Sequence, residues 1–423
     1  MTEKRIKVMV ISDHPLSPSG VGTQTKYMIE ALLKSDKFDF ICLGGAVKHE
    51  DYKPIKVSPW DDRWTIFPID GYGNHEMIRS MLYNQKPDIL WFMTDPRFYG
   101  WLWEIENEVR ANVPMVYYHV WDNYPYPTFN KKFYDSNDAI VTISKLTSDI
   151  VRNVSPTVRE EYLPHSVNTD IFRKFPDEQI ADFKRAMFQN TANFSQDDTI
   201  FFWNNRNARR KMTGSVVWWF SEFLKRKKGG AARLVLHTDP KDPHGQDLVA
   251  IMHRLGLTNG ELMLSNKKMP PENLALLYNA ADCTVNLSDA EGFGLATFES
   301  LACETPIIVN MTGGLQEQVT DGKDWFGIGI EPAAKAIVGS QEVPYIYEDR
   351  VSGEDAINAF LKIHEMTREN RQALGKLGRQ HVENNYSFKN YERRWVEIMT
   401  DIHEHFGSWE NRRNYQSWEV TEV

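Results

Sequence analysis

Three cysteines in 423 residues, Cys42, Cys283 and Cys303, are too few for a disulfide framework. None stands at a metal-ligand spacing, and all three fall in apolar stretches, so they are expected to be buried thiols of a reducing compartment. No run approaches the ~20 apolar residues that a membrane span requires. The opening MTEKRIKVMVIS is too short in its apolar part for a signal peptide and is expected to form a first strand, which points to a cytoplasmic chain. An excess of positive charge is also missing. With 58 acidic and 49 basic side chains the formal charge is −9, which argues against a general nucleic-acid binder. Neither an internal repeat nor a clustered metal-ligand set is present. The acid pairs Asp61-Asp62 and Asp197-Asp198, and the stretch Asp239 to Asp242, sit in polar segments and are expected to be solvated loops, leaving no metal site.

What is present is an ordinary globular composition, 41% hydrophobic and 25% charged, in a chain long enough for two or three domains. Apolar runs alternate with helical patterns, the order that builds parallel sheets covered by helices on both faces. A first series of strands is expected at Ile6 to Ser12, Phe38 to Leu43, Asp88 to Met93, Pro114 to Val120, Ala139 to Ile143 and Glu161 to Pro164, with helices at Thr23 to Lys34 and Tyr99 to Arg110. A second series covers Thr199 to Asn204, Arg233 to Thr238, Glu261 to Ser265, Cys283 to Leu287 and Pro306 to Asn310. Two such series imply two doubly wound domains. The polar stretch Asn190 to Asp198 reads as an exposed linker between them, and Trp409 to Val423 as a polar tail or loosely docked extension.

The densest chemistry lies in Asp289 to Gly314, DAEGFGLATFESLACETPIIVNMTGG. Glycines directly after Glu291 let the backbone approach a ligand with no Cβ in the way. Leu295 to Cys303 reads as a helix whose first N–H groups face that turn, an arrangement suited to an anion. Glu299 falls about one turn inside this helix. The whole string, Glu291-Gly292-Phe293-Gly294-Leu295 with Glu299-Ser300-Leu301-Ala302, then Thr305-Pro306-Ile307 and Gly313-Gly314-Leu315-Gln316-Glu317, resembles the E-x7-E donor motif of retaining GT-B glycosyltransferases, in particular glycosyltransferase family 4 (glycosyl transferases group 1).

That resemblance implies an α/β GT-B fold: two Rossmann-like doubly wound domains facing a cleft, with a C-terminal helix crossing back to the N-terminal domain. The implied division is an acceptor domain over 1–175, a nucleotide-sugar donor domain over 190–385, and a returning helix with a polar tail over 386–423. Pro164-His165-Ser166-Val167-Asn168 resembles the family's segment closing the first domain, with Ser166 for Gly and Asn168 for Asp. The stretch Asp324 to Arg350 is longer than the family's usual loop, either an insertion facing the acceptor cleft or a decorated edge.

The resemblance also distributes roles. Arg206 and Lys211 match the family's R-x4-K pair on the donor diphosphate, where fixed cations stabilise the leaving group. Glu299 would take the ribose hydroxyls, and the backbone of Gly292, Phe293, Gly294 and Leu295 the phosphate and sugar. Glu291 and His119, the latter at the end of a strand, would grip the sugar, with Asp122 beside them. Gly20 and Gly22 lie in the loop Pro18 to Thr23 after the first strand, which in this family would approach the donor phosphates and the acceptor. Alone, a Gly-x-Gly there also suggests a dinucleotide site, but Thr25 stands where a third glycine would be and no acid ends the second strand.

The implied activity is a metal-independent, retaining hexosyl transfer from a nucleotide-diphosphate sugar, expected to be a UDP-sugar, to a hydroxyl acceptor in a glycan, lipid, protein or small molecule. No cofactor is expected. The alternatives are a nucleotide-sugar epimerase or hydrolase on the same fold, a non-catalytic sugar-nucleotide sensor, and an enzyme glycosylating hydroxymethylated DNA bases.

Overall fold

Branched and aromatic residues in nearly unbroken runs make strands buried on both faces, as a parallel sheet covered by helices demands. In the computed structural model, which describes residues 4–191 and 193–419, these runs form two sheets in two units. The first unit runs to His165 and takes in Gly339–Tyr345 and the chain from Lys389 onward; the second comprises Ser166–Val338 and Ile346–Phe388. The first unit therefore ends at His165 rather than at 175, and the segment from Ser166 belongs to the second, where Phe175 N–H donates to Asn279 and Asn279 Nδ2 donates to the Arg173 carbonyl. Residues 1–3, 192 and 420–423, inside the expected first domain, linker and tail, lie outside the described residues.

The first sheet contains β1 (Ile6–Asp13), β2 (Phe38–Gly45), β3 (Ile55–Val57), β4 (Asp61–Pro68), β5 (Ile89–Thr94), β6 (Met115–His119), β7 (Ala139–Thr142) and β8 (Arg159–Tyr162). Their order is β3-β4-β2-β1-β5-β6-β7-β8. Only β3, at the edge, pairs antiparallel. Asp61 and Asp62, expected in a solvated loop, instead open β4, where Trp64 and Ile66 alternate inward and Asp62 accepts from Lys56. That half-polar strand near the edge lacks the continuous apolar run that marks its neighbours. The helix expected over Tyr99 to Arg110 is broken at Ile105 into Gly100–Glu104 and Glu106–Arg110.

Helix Phe388–Phe406 packs Trp395 edge-on against Trp91 and Tyr118 of the first unit. The described chain after it, 407–419, is docked rather than a loose tail. Ser408 donates to Asp88, the Trp409 indole to the Pro87 carbonyl, and Arg412 to Asp138 at 2.6 Å, the last pair almost fully buried.

In the second unit, β9 (Thr199–Asn204), β10 (Ala232–His237), β11 (Leu262–Ser265), β12 (Cys283–Asn286), β13 (Ile307–Asn310) and β14 (Gly327–Ile330) form an all-parallel sheet ordered β11-β10-β9-β12-β13-β14. Phe201, Trp203, Phe220, Phe223 and Phe360 fill one core beneath it. A separate antiparallel hairpin, β15 (Ala334–Val338) and β16 (Ile346–Arg350), occupies the long stretch after β14. All three cysteines are free and buried.

The expected linker is also built in. Arg233 donates to Asp198 at 2.6 Å and to the carbonyls of Gly260 and Asn193, while Phe188 and Phe194 stack on each other with the guanidinium 5.6 Å from each ring. Asp198 is thus a buried ion-pair partner, not a solvated acid. Removing one member of a buried pair leaves the other charge uncompensated, at a cost of about 3–5 kcal/mol. Arg233→Met is expected to lower stability by that amount in urea unfolding; a change within the usual spread of surface variants would mean the pair is replaceable.

Candidate functional site

From β9 the chain steps outward to β10 and β11, then returns to pair β12 with the other side of β9. The C-terminal ends of β9 and β12 therefore flank the switch point where open α/β sheets hold ligands. Asn204 ends the first of these strands and Asn286 the second. The loop after β9 carries a tight turn, Arg209–Lys211, before helix Thr213–Arg226. The loop after β12 carries Glu291 to Gly294 before helix Leu295–Ala302.

These two loops meet at an ion pair. The Lys211 ammonium donates to Glu291 Oε2, and both residues are buried, at 7% and 8% exposure. Asn286 Nδ2 donates to the same oxygen at 3.4 Å. Arg210 stands 3.9 Å from it and donates to the Ala290 carbonyl at 2.7 Å. Burial by itself would raise the Glu291 carboxyl, but Lys211 and Arg210 hold it below its ordinary range. Glu291 is therefore an anion fixed by cations of the neighbouring loop.

Glu299 is in a different electrostatic position. Its Oε2 accepts from the Tyr278 hydroxyl at 2.7 Å, and Tyr278 in turn accepts from Asn204 Nδ2 at 2.8 Å, so a relay joins the end of β9 to the helix. Burial without a cation pushes its carboxyl up to about 7. Asp289, also buried, rises to about 6 through burial and the nearby Glu348.

The turn between the glutamates is held rigidly. Gly294 has φ +95°, a conformation closed to most side chains, and opens the helix beginning at Leu295. Gln318 donates to the carbonyls of Phe293 and Gly294 and accepts from Thr297, which itself donates to the Gly294 carbonyl. Gly314 N–H donates to the Glu291 carbonyl at 3.0 Å, tying the Gly-Gly segment to Glu291-Gly292. The Phe293 ring packs edge-on to Phe298.

Arg206 and Lys211 have different partners. Arg206 is exposed and donates to Asp242 at 2.7 Å and to His244 at 2.8 Å, so Asp242 is not a freely solvated acid. Its hydrogen bond to Arg206 holds the Asp242 carboxyl down at about 2.

In the first unit, Gly20 and Gly22 lie within the first turn of helix Gly20–Lys34 rather than in a preceding loop. Ser19 caps that turn, accepting from Gly22 N–H and donating to Asp13. Gly22 packs where a Cβ would meet Ser17 Oγ at 2.5 Å, a structural reason for glycine that needs no ligand. His119 ends β6 with no exposed surface. Its Nε2 is hydrogen-bonded to the Tyr134 hydroxyl at 2.8 Å, Nδ1 has no hydrogen-bond partner, and burial drops its pKa to about 3, so the ring is neutral. Asp122 is half-buried three residues further on.

Asn204, Tyr278, Asn286, Thr297 and Gln318 were not among the residues singled out from the sequence, and Arg210, which there reads as part of a solvated basic loop, is instead tied to the Ala290 carbonyl. Asn204 and Asn286 carry a usable signal, since each closes an apolar strand. Tyr278 carries none; it lies on helix Pro271–Ala280, between β11 and β12, and reaches Glu299 only through the fold.

Residues 231–359 match the family model described as Glycosyl transferases group 1. The D-inositol 3-phosphate glycosyltransferase of Acidothermus cellulolyticus is 34% identical over 122 residues, 27% of this chain and 27% of that protein. Its counterpart in Thermomonospora curvata is 46% identical over 70 residues, 16% of each. The chain thus spans only 16% to 27% of the length of these curated relatives. Among solved structures, sucrose-phosphate synthase from Thermosynechococcus elongatus superposes with a TM-score of 0.73 at 18% identity, over 95% of this chain and 100% of that one. The catalytic domain of starch synthase IV from Arabidopsis thaliana gives 0.68 at 12%, over 95% and 100%. The fold is accordingly GT-B. More particularly, this is a GT-B chain in which residues 231–359, with Glu291 and Glu299 among them, match the group 1 glycosyl transferase model.

A carboxyl at about 7 in the folded chain and near 4.5 in the unfolded one makes folding take up a proton between those values. The contribution of Glu299 is fully present below about pH 4.5 and is lost as pH rises to about 7. Thermal unfolding of the unliganded Glu299→Gln variant should therefore gain on wild type between pH 5 and pH 8. A difference that stays constant across that range would put Glu299 at its ordinary pKa.

Proposed function

We propose that the chain is a retaining GT-B glycosyltransferase that moves a sugar from a nucleotide-diphosphate sugar to a hydroxyl acceptor without a metal ion. The observation that carries this reading is the buried Lys211–Glu291 pair at the sheet's switch point, inside a turn locked by Gln318 and Thr297. A GT-B fold and a group 1 segment support it.

Without ligand, Lys211 and Glu291 neutralise each other, since either charge buried alone would be costly. A nucleotide sugar supplies a substitute for both: its diphosphate for the ammonium, its sugar hydroxyls for the carboxylate. Lys211 then faces the oxygen that gains charge as the glycosidic bond breaks, where a fixed cation lowers the barrier. Arg206 adds a second cation on exchanging Asp242 for phosphate. Glu299 accepts the ribose hydroxyls, which favours its ionised form. In a front-face route the departing phosphate oxygen takes the acceptor proton, and no protein nucleophile is needed. The roles of His119 and Asp122 on the sugar, and of the Gly20–Gly22 turn, rest on the resemblance. A UDP-sugar is the donor proposed, and the cytoplasm the compartment.

The test is a panel of nucleotide sugars with saccharide, lipid and polyol acceptors, following nucleotide release and the anomeric configuration of the product. Lys211→Ala should lower kcat by roughly a hundred- to a thousand-fold, the range for a lost oxyanion donor. Rates within threefold of wild type would place the diphosphate elsewhere. Turnover should also survive EDTA, because fixed cations supply the charge stabilisation; complete loss restored by Mg²⁺ or Mn²⁺ would overturn the metal-free route.

A further inference from the structure

The turn that carries Lys211 is strained. Met212, directly after it, has φ +57°, in the left-handed region that non-glycine residues enter at a cost of order 1–3 kcal/mol when the surroundings over-determine them. Three side chains clamp this turn: Lys211 to Glu291, Arg210 to the Ala290 carbonyl, and Arg209 to Glu348 of β16 through its two terminal guanidinium nitrogens. Glu348 is itself buried, at 3% exposure, and also accepts from Arg350 at 2.8 Å. Burial would raise its carboxyl, but the two arginines hold it below the ordinary range.

The strand bearing Glu348 is anchored to the other side of the site. Asp349 N–H donates to the Asp289 carbonyl at 2.8 Å, and Asn310 Nδ2 bridges the carbonyls of Ser288 and Asp349 at 2.8 and 2.6 Å. Thr312 donates to Asp349 Oδ2 at 2.8 Å. β16 is thus fixed to the loop that presents Glu291, and through Glu348 it reaches across to the loop that presents Lys211. The hairpin is tied into both loops of the site.

We propose that Glu348 is a positioning residue for the site: by gripping Arg209 it holds the strained Arg209–Lys211 turn against the Glu291 loop and fixes where the Lys211 ammonium stands. The role of Lys211 in chemistry rests on the function proposed above; its placement by Glu348 does not. A displacement of about 1 Å at a reacting group can cost on the order of a hundredfold in rate, which a cation on a strained turn invites. The charged hydrogen bond between a buried carboxylate and the planar arginine fork supplies both strength and direction.

The experiment uses the full chain with Glu348→Gln, Glu348→Asp and Arg209→Met, singly, and Glu348→Gln with Arg209→Met together. Acylation of Lys211 by an N-hydroxysuccinimide ester, read by mass spectrometry against the exposed Lys241, reports its placement without any turnover. Glu348→Gln should label Lys211 severalfold faster, Glu348→Asp should restore the slow rate in part, and the double variant should match Arg209→Met because one path is lost in both. In turnover, Glu348→Gln should lower kcat by about tenfold or more, with the KM for UDP-glucose nearly unchanged. Unchanged labelling of Lys211, or effects of the two substitutions that simply add, would overturn the proposal. If Glu348→Gln fails to fold, the exposed Arg209 variant decides it by the same labelling. A wild-type chain that cleaves no sugar nucleotide would sink the functional reading and leave the labelling result standing.

Discussion

The second unit is organised around one constraint: a lysine and a glutamate from different loops are buried together and must neutralise each other. Two charges out of water are tolerable only at close range and with further hydrogen bonds. Asn286 supplies a further hydrogen bond and Arg210 a second cation 3.9 Å away, and the parallel sheet supplies the close range by ending β9 and β12 side by side. The positions of the Gly294 turn, the Gly-Gly segment and the helix bearing Glu299 follow from keeping that pair in register.

Two kinds of restraint then act on the same few residues. Side-chain amide and hydroxyl groups, Gln318 and Thr297, lock the backbone of the glycine turn from beneath. Charged groups, Arg209 with Glu348 and Arg210 with the Ala290 carbonyl, hold the basic turn from its flank. The first set fixes N–H directions; the second fixes cations. A phosphate leaving group needs both, because dipoles and charges that are already oriented cost no reorganisation as the bond breaks.

The two glutamates illustrate how environment separates chemically identical groups. Glu291 has cations against it and stays ionised; Glu299 has only a tyrosine hydroxyl and is pushed up to about 7. Their spacing is a property of the sequence, but their charge states come from Lys211 and Tyr278, which lie 80 and 21 residues away along the chain. His119 is a third case. Its position at a strand end is legible in the apolar run before it, yet full burial against Tyr134 makes it a neutral ring.

Much of this was legible in order. Continuous apolar runs marked ten strands near their true places, since a strand buried on both faces needs no polar alternation, whereas the half-buried β8, Arg-Glu-Glu-Tyr, starts two residues before its expected place. The string from Glu291 to Glu317 marked the glycine turn and its helix, because the φ of Gly294 is one that few side chains tolerate. The half-polar β4, the docked chain after Phe406 and the buried role of Asp198 were not legible. Each depends on a partner distant in sequence: a neighbouring strand, the Asp88 and Asp138 carboxylates, or Arg233. Local pattern therefore determined which residues form strands, turns and caps. The tertiary structure alone decided which charges meet, because ion pairing and burial are set by distance in space and by exclusion of water, and neither is written into the spacing of residues along the chain.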